Sequence, residues 1–163
     1  MERALLGPTH LPEGPVDTNM RLLRYGFMQP NDWTCVPAAT RIILHNFGLN
    51  QSVSAIAKEM GTVRGGTTES ALIRFMKKKG LKFTIKRKAG LKDIGVRLKN
   101  GKMILVSYWI PFYKEYHIAI VKKVTAKRIY FHDTWFGSSH SYSLEYFKLQ
   151  WKKDDNWMLT IKK

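Results

Sequence analysis

The hydrophobic pattern of this sequence changes partway along the chain, and that change is its strongest constraint on fold. Segments before residue 80 repeat apolar residues with a helical period, whereas residues after 100 form runs rich in β-branched and aromatic side chains. Helices followed mainly by strands are typical of α+β proteins. We therefore expect a layer of helices packed against an antiparallel sheet.

The expected helices have recognisable ends as well as the right period. Pro37 fits only the first turn of a helix, where its missing N–H is not needed. Thr67 is expected to cap the third helix, with Leu72, Ile73 and Met76 as its core stripe. The predicted helices are Cys35–Phe47, Ser52–Met60, Thr67–Lys79 and Leu91–Leu98.

Strands are predicted mainly in the second half of the chain. Met103–Ile110 is a continuous β-rich run, which indicates a strand buried on both faces. A tight turn near Thr125–Lys127 would join the next two strands, and Leu144–Trp151 is ambiguous between helix and strand. The predicted strands are Arg21–Gln29, Leu81–Ile85, Met103–Ile110, His117–Val124, Arg128–His132 and Trp157–Ile161.

Length and composition favour one domain and exclude several classes of protein. The 163 residues predict a single domain over residues 20–163, preceded by a loosely held arm over residues 1–19 that is rich in proline and glycine. The single cysteine excludes a disulfide framework and a multi-cysteine metal site, and we expect no cofactor. No apolar run approaches the ~20 residues of a membrane span, and no signal peptide is evident, so we expect a cytoplasmic protein.

The chain carries a formal net charge of +16, from 28 Lys and Arg against 12 Asp and Glu. The basic residues concentrate in Arg74–Lys102, which holds only one acid, Asp93. One interpretation is a solvated lysine-rich face that maintains solubility. The other is a surface for weak binding of polyanions, nucleic acid above all, since such charge raises affinity for them.

Cys35 is the candidate nucleophile because it falls at the start of a predicted helix. Free N–H groups and the helix dipole stabilise a thiolate there. The alternative is a small, buried hydrophobic residue. Any base must come from elsewhere, since His45 lies ten residues along the same helix and is too distant to touch Cys35. His117, at the start of a predicted strand, is the candidate base, and an ordinary exposed histidine is its alternative.

Asp133 ends the strand that follows the one His117 begins, so a hairpin would bring the two side chains together. A carboxylate there would orient the imidazole, although Asp133 also suits a simple turn. His132 is the rival base, but its side chain must point to the opposite face of the strand from Asp133. Gln29, six residues before Cys35, could place its amide beside the Cys35 N–H as a second donor to an oxyanion.

These residues fall within a familiar pattern. The segments QPNDWTCVPAATRIIL, LVSYW, HIAIV, IYFHDTWFG and YSLEYFKLQW follow one another in order. Together they resemble the papain-like cysteine peptidases of the bacteriocin-processing, or double-glycine leader, family. The resemblance covers roughly residues 20–151.

The resemblance implies a papain-like fold, a peptide or protein substrate, and roles for four residues. Cys35 would be the nucleophile, His117 the general base, Asp133 its orienting carboxylate and Gln29 an oxyanion donor. The family usually has glycine after the cysteine, where this chain has Val36, and an Asp-Pro turn, where this chain has Asp133-Thr134.

Two hypotheses of function follow. The first is a cysteine peptidase that cleaves a peptide or isopeptide amide through a Cys-His-Asp triad. The second is a non-catalytic basic binding module of the same fold, which recruits nucleic acid or an acidic protein through Arg74–Lys102.

Overall fold

Five α-helices and six β-strands make up residues 29–162, the part of the chain that this computed structural model describes. The helices are α1 (Cys35–Asn46), α2 (Val53–Met60), α3 (Glu69–Lys78), α4 (Leu91–Lys99) and α5 (Leu144–Trp151). The strands are β1 (Lys82–Lys86), β2 (Met103–Ile110), β3 (Glu115–Val124), β4 (Arg128–His132), β5 (Ser141–Ser143) and β6 (Met158–Lys162). The α+β prediction is confirmed. The predicted arm over residues 1–19 and the predicted strand over 21–29, apart from Gln29, lie outside the described residues.

The strands form one sheet in the order β1-β6-β2-β3-β4-β5, and every neighbouring pair is antiparallel. The last strand, β6, lies between β1 and β2, so the end of the described chain is held in the sheet on both sides. In the central pair, Tyr108 of β2 is directly opposite His117 of β3. Directly opposite residues project from the same face, so their side chains are neighbours.

Helices cover both faces of the sheet. Side chains of α1, α2 and α3 share one apolar core with alternate sheet residues such as Leu105 and Ile120. The intervening residues, such as Val106 and Ala119, form a second core with α4 and α5. This alternation is what a strand side-chain period of two requires of a sheet buried on both sides. The sequence predicted one helical layer, and the structure adds a second.

Several local predictions need correction. Thr68, not Thr67, caps α3 by accepting a hydrogen bond from the Ala71 N–H at 3.2 Å. The Thr67 hydroxyl instead pairs with the Thr62 hydroxyl at 2.7 Å. Phe75 takes the core position expected for Ile73, which is only half-buried.

Two further elements depart from the sequence reading. The ambiguous segment Leu144–Trp151 is the helix α5, capped by Ser143, and the short strand β5 before it was not predicted. β2 is not buried along its whole length, because Ser107 and Trp109 face a cleft.

No helix within residues 29–162 is both long and apolar enough to cross a lipid bilayer. The cytoplasmic location expected from the sequence stays a prediction.

The cap of α3 can be tested with a pair of substitutions. Thr68→Ala removes the side-chain acceptor for the Ala71 N–H and should lower the free energy of unfolding by about 1 kcal/mol, measured by urea denaturation. Thr68→Ser keeps a hydroxyl and should stay within about 0.5 kcal/mol of the parent. Equal losses in the two variants would mean that Thr68 stabilises α3 by packing rather than by capping.

Candidate active site

A cleft of about 440 Å³ opens between the start of α1, the loop joining α2 to α3, and the β2–β3 connection. The loop wall contains Arg64, whose guanidinium lies 5.5 Å from the centre of the Trp33 ring on the opposite wall. The glycine-rich segment before α3 contributes Gly65, Gly66 and Thr67 to this wall. Cys35 and His117 both line the cleft.

Cys35 is the first residue of α1 and is half-buried. Its side chain packs against the core shared by α1–α3 while also lining the cleft. Pro37 occupies the first turn, and the first intrahelical bond there runs from the Ala38 N–H to the Thr34 carbonyl at 2.9 Å. The first N–H groups of a helix have no intrahelical partner, so the sulfur lies at the positive end of a twelve-residue dipole.

His117 and Asp133 form a buried pair. The distance from His117 Nε2 to Asp133 Oδ1 is 2.8 Å, and the two side chains are 1% and 0% exposed. The residues are sixteen apart in sequence and meet because β3 and β4 form an antiparallel hairpin. The adjacency predicted from strand order is therefore present. The alternative of an exposed strand-end histidine is wrong, since His117 is buried.

The Asp133 carboxylate accepts hydrogen bonds on both oxygens. Oδ1 accepts from His117 Nε2, from the Trp135 N–H at 2.8 Å and from the Phe136 N–H at 3.0 Å. Oδ2 accepts from the Tyr108 hydroxyl at 2.8 Å. The charge of a fully buried carboxylate is thus met by four donors, as burial of an ion requires.

Electrostatics favour the charged forms of both partners. Burial disfavours the imidazolium, but the Asp133 carboxylate and a hydrogen bond with the Cys35 side chain raise the pKa of His117 to about 10. Burial likewise disfavours the carboxylate, but His117, His140 and the Phe136 N–H hold the pKa of Asp133 well below its usual range. Because Nε2 is engaged with Asp133, Nδ1 is the ring nitrogen left to face Cys35.

Gln29 lies beside the Asp133 turn rather than on the cleft wall. It is 3% exposed, and the Thr134 hydroxyl donates to its side-chain oxygen at 2.9 Å. Its amide nitrogen donates to the Asn31 carbonyl at 2.7 Å, and its backbone N–H donates to the Thr134 carbonyl at 2.9 Å. An amide nitrogen carries two N–H groups, so one donor remains beyond the Asn31 bond.

The rival base and the other histidines take different positions. His132 is 1% exposed, and neither ring nitrogen has a hydrogen-bond partner within the described chain. Burial and the nearby Lys122 lower the pKa of His132 well below its usual value, so it is neutral. His140 stacks on the Phe136 ring with centroids 4.6 Å apart, and burial also lowers the pKa of His140.

The sequence reasoning missed Tyr108 and Phe136, which both contact the His117 ring. Their ring centroids lie 5.7 Å and 6.0 Å from that of His117, each in an edge-on arrangement. Tyr108 lies in an apolar run that indicates only a core strand, so the sequence carries no signal for its contact with His117. For metals, no group of three His, Cys, Asp or Glu side chains in the described segment is placed to hold an ion.

Comparison with known families finds one match to the sequence. The sequence model of the peptidase C39 family matches residues 25–163. No curated protein sequence matches this chain.

Solved structures match the fold at low sequence identity. The peptidase domain of Streptococcus ComA, a bi-functional ABC transporter involved in a quorum-sensing pathway, is 18% identical, with a TM-score of 0.67 over 83% of this chain and 96% of that one. A putative C39-like peptidase from Bacillus anthracis is 15% identical, with a TM-score of 0.68 over 87% and 96% of the two chains.

A third structure matches over a longer stretch. It is a double glycine motif protease from an AMS/PCAT transporter, solved in complex with its leader peptide. It is 16% identical, with a TM-score of 0.63 over 96% of this chain and 98% of that one. These likenesses confirm the expected papain-like fold.

The buried pair generates a prediction about acid stability. A carboxyl whose pKa is lowered by folding stabilises the native state above its unfolded pKa of about 3.9, and this stability is lost as the pH falls. His117 is charged at that pH in both the folded and the unfolded state, so it does not contribute to the change of the unfolding free energy with pH there. Asp133→Asn should therefore flatten the acid limb of the unfolding free energy by up to about 1.4 kcal/mol per pH unit below about pH 4.

The matched control is Asp93→Asn. The pKa of Asp93 is also lowered, to about 2, through hydrogen bonds with Lys86 and the Gly90 N–H, but it lies at the surface. In Asp93→Asn, the part of the fall in unfolding free energy below about pH 4 that is due to Asp133 should be unchanged. Urea denaturation at a series of pH values measures both, and an Asp133→Asn limb as steep as the parent's would contradict the assignment.

Proposed function

This chain belongs to the peptidase C39 family, and we propose that it hydrolyses peptide amides with Cys35 as nucleophile, His117 as general acid and base, and Asp133 as the carboxylate that orients the imidazole. The family consists of cysteine peptidases, so a cysteine peptidase and a peptide or protein substrate follow from membership. The observation that carries the finer proposal is the buried His117–Asp133 pair at a cleft that Cys35 also lines.

The proposed cycle begins with the transfer of a proton from Cys35 to His117. The Cys35 thiol gives its proton to Nδ1, and Asp133 stabilises the resulting imidazolium through Nε2–H. The raised pKa of His117, about 10, supports a ring that is charged at neutral pH. The thiolate is then the attacking species, as in other cysteine nucleophiles activated by a histidine.

Attack on the substrate carbonyl forms a carbon–sulfur bond and a tetrahedral oxyanion. The carbon–nitrogen bond then breaks, and Nδ1–H supplies the proton to the leaving amine. Neutral His117 next takes a proton from water, the hydroxide attacks the thioester carbonyl, and the carboxylic acid leaves as the thiol reforms. The amide bond and one water molecule are consumed, and the enzyme is regenerated.

The oxyanion needs donors close to Cys35. We assign the Cys35 backbone N–H, at the helix start, and the second N–H of the Gln29 amide to this task. The Thr134 and Asn31 bonds hold Gln29 next to the catalytic turn. For the N–H to reach an oxyanion, the amide must move toward the cleft as the substrate binds.

Cys35 is the single cysteine of the chain, so thiol chemistry reports on it alone. Iodoacetamide should label native protein at neutral pH at least about tenfold faster than urea-unfolded protein, because the thiolate is stabilised by His117. His117→Ala should remove that advantage. His45→Ala, at the far end of α1, should not. Intact-mass spectrometry measures the rates.

Hydrolysis itself can be followed on a proteome-derived peptide library by mass spectrometry. Cys35→Ala should reduce the appearance of new termini by at least about a thousandfold. No cleavage above the Cys35→Ala background, together with labelling at the rate of unfolded protein, would exclude the peptidase proposal.

A second candidate function rests on the basic segment. Five of its cations form ion pairs, all at the surface: Lys78 and Lys79 with Glu59, Lys86 and Arg97 with Asp93, and Arg87 with Glu69. Seven others have no ion-pair partner within residues 29–162: Arg74, Lys77, Lys82, Lys88, Lys92, Lys99 and Lys102. We infer that this surface binds polyanions weakly, in addition to the chemistry of the cleft.

Salt dependence tests the basic surface. Lys92 and Lys99 are exposed and seven residues apart on α4, so they share a helix face. Their joint replacement by glutamate should weaken binding to labelled duplex DNA and reduce the slope of log K against log salt by about 0.9 for each lost phosphate contact. Replacing Lys152 and Lys153 by glutamate makes the same charge change elsewhere. Equal effects of the two pairs would mean that net charge alone governs binding.

A further inference from the structure

We propose that Tyr108 is a positioning residue of the catalytic centre, which holds the Asp133 carboxylate, and through it the His117 ring, in the geometry that sustains the Cys35 thiolate. This inference rests on the proposed roles of Cys35, His117 and Asp133.

The backbone register places Tyr108 where it can act on both partners. It is opposite His117 in the β2–β3 pair, and its ring meets the His117 ring edge-on, with centroids 5.7 Å apart and planes at 80°. Its hydroxyl donates to Asp133 Oδ2 at 2.8 Å. Tyr108 therefore contacts the imidazole with its ring and the carboxylate with its hydroxyl.

The hydroxyl is the one donor to Oδ2 among the hydrogen bonds of the described chain, whereas Oδ1 has three. Asp133 is fully buried, so without the Tyr108 hydroxyl its Oδ2 would have no donor among the described residues. A buried oxygen of a charged group without a donor costs free energy. The Tyr108 bond also lowers the free energy of the anion relative to the neutral acid, since it is made to the charged form.

The direction of donation is settled by chemistry. An ionised carboxylate has no proton to give, so Tyr108 must donate. Burial and the neighbouring Asp133 charge raise the pKa of Tyr108 well above its usual value, so the hydroxyl keeps its proton. The Tyr108 ring also meets the Tyr142 ring edge-on, with centroids 5.5 Å apart.

Packing alone does not account for a tyrosine at this position. The Tyr108 ring is fully buried among Phe131, Phe147 and Tyr142, with centroid distances of 5.4 Å, 6.2 Å and 5.5 Å. A phenylalanine would fill the same space without bringing a polar group into the core. Burying a hydroxyl costs free energy unless it forms a hydrogen bond. Here the hydrogen bond to the Asp133 carboxylate offsets that cost.

The test uses the pH profile of iodoacetamide labelling at Cys35. Tyr108→Phe leaves Oδ2 without a donor, which disfavours ionised Asp133 and hence the imidazolium–thiolate pair. The pH at which the labelling rate is half of its maximum should rise by about 0.5–1 unit. Labelling near pH 5 should then be roughly three- to tenfold slower than in the parent. At high pH, where labelling of the parent reaches its maximal rate, the two rates should agree within about twofold.

Two matched variants keep the outcome interpretable. Tyr130→Phe removes a hydroxyl from β4 whose ring lies by Lys123, away from Asp133, and should leave the profile unchanged. In an Asp133→Asn background, Tyr108→Phe should shift the profile by less than about 0.2 pH unit, because the carboxylate it acts on is gone. Thermal unfolding of each variant checks that the core is intact.

The outcomes distinguish failure of the Tyr108 role from failure of the proposed peptidase function. A Tyr108→Phe profile that superimposes on the parent's, or that falls equally at every pH, would overturn the positioning role while leaving the proposed peptidase in place. A parent protein whose Cys35 labels no faster than the unfolded chain would remove the proposed function, and the role of Tyr108 with it.

Discussion

The buried charge of Asp133 is the constraint on which the rest of the site depends. An ionised carboxylate with no exposure costs several kcal/mol unless donors replace the water it has lost. Here those donors come from three places in the chain: His117 on β3, the turn after β4, and Tyr108 on β2. The carboxylate is therefore satisfied only when β2, β3 and β4 are paired in their observed register. Folding of the sheet therefore also assembles the His117–Asp133 pair.

Part of this arrangement was predictable because it is local or periodic. The α1 prediction succeeded because Pro37 and the apolar spacing both belong to the chain's own sequence around Cys35. His117 and Asp133 could be paired because a tight hairpin forces the start of one strand beside the end of the next. Thr67 and Thr68 could not be separated, since both are good caps, and only the loop geometry assigns one to Ala71 and the other to Thr62.

What sequence could not supply is contact across long separations. Tyr108 meets Asp133 from 25 residues away, and its hydroxyl lies within a segment whose neighbours are apolar. Gln29 was placed by its spacing from Cys35, yet its side chain is held by Thr134, 105 residues distant. The second helical layer was missed for the same reason, because the pattern of α5 cannot say which face of the sheet it covers. Register and layer are properties of the assembled sheet.

The large net positive charge of the chain has little effect on the protonation of the site residues. A net charge of +16 favours a thiolate and opposes an imidazolium, so acting alone it would have opposite effects on the two members of the proposed Cys35–His117 ion pair. Surface charges more than about 8 Å away are largely screened at physiological salt. The Asp133 oxygen lies 2.8 Å from Nε2, and both side chains are buried, where attraction is far stronger. The short-range pair therefore sets the protonation of His117, and the charge of the basic surface has little effect on it. The proposed polyanion binding at α3–α4 and the proposed bond cleavage in the cleft can accordingly change independently of each other.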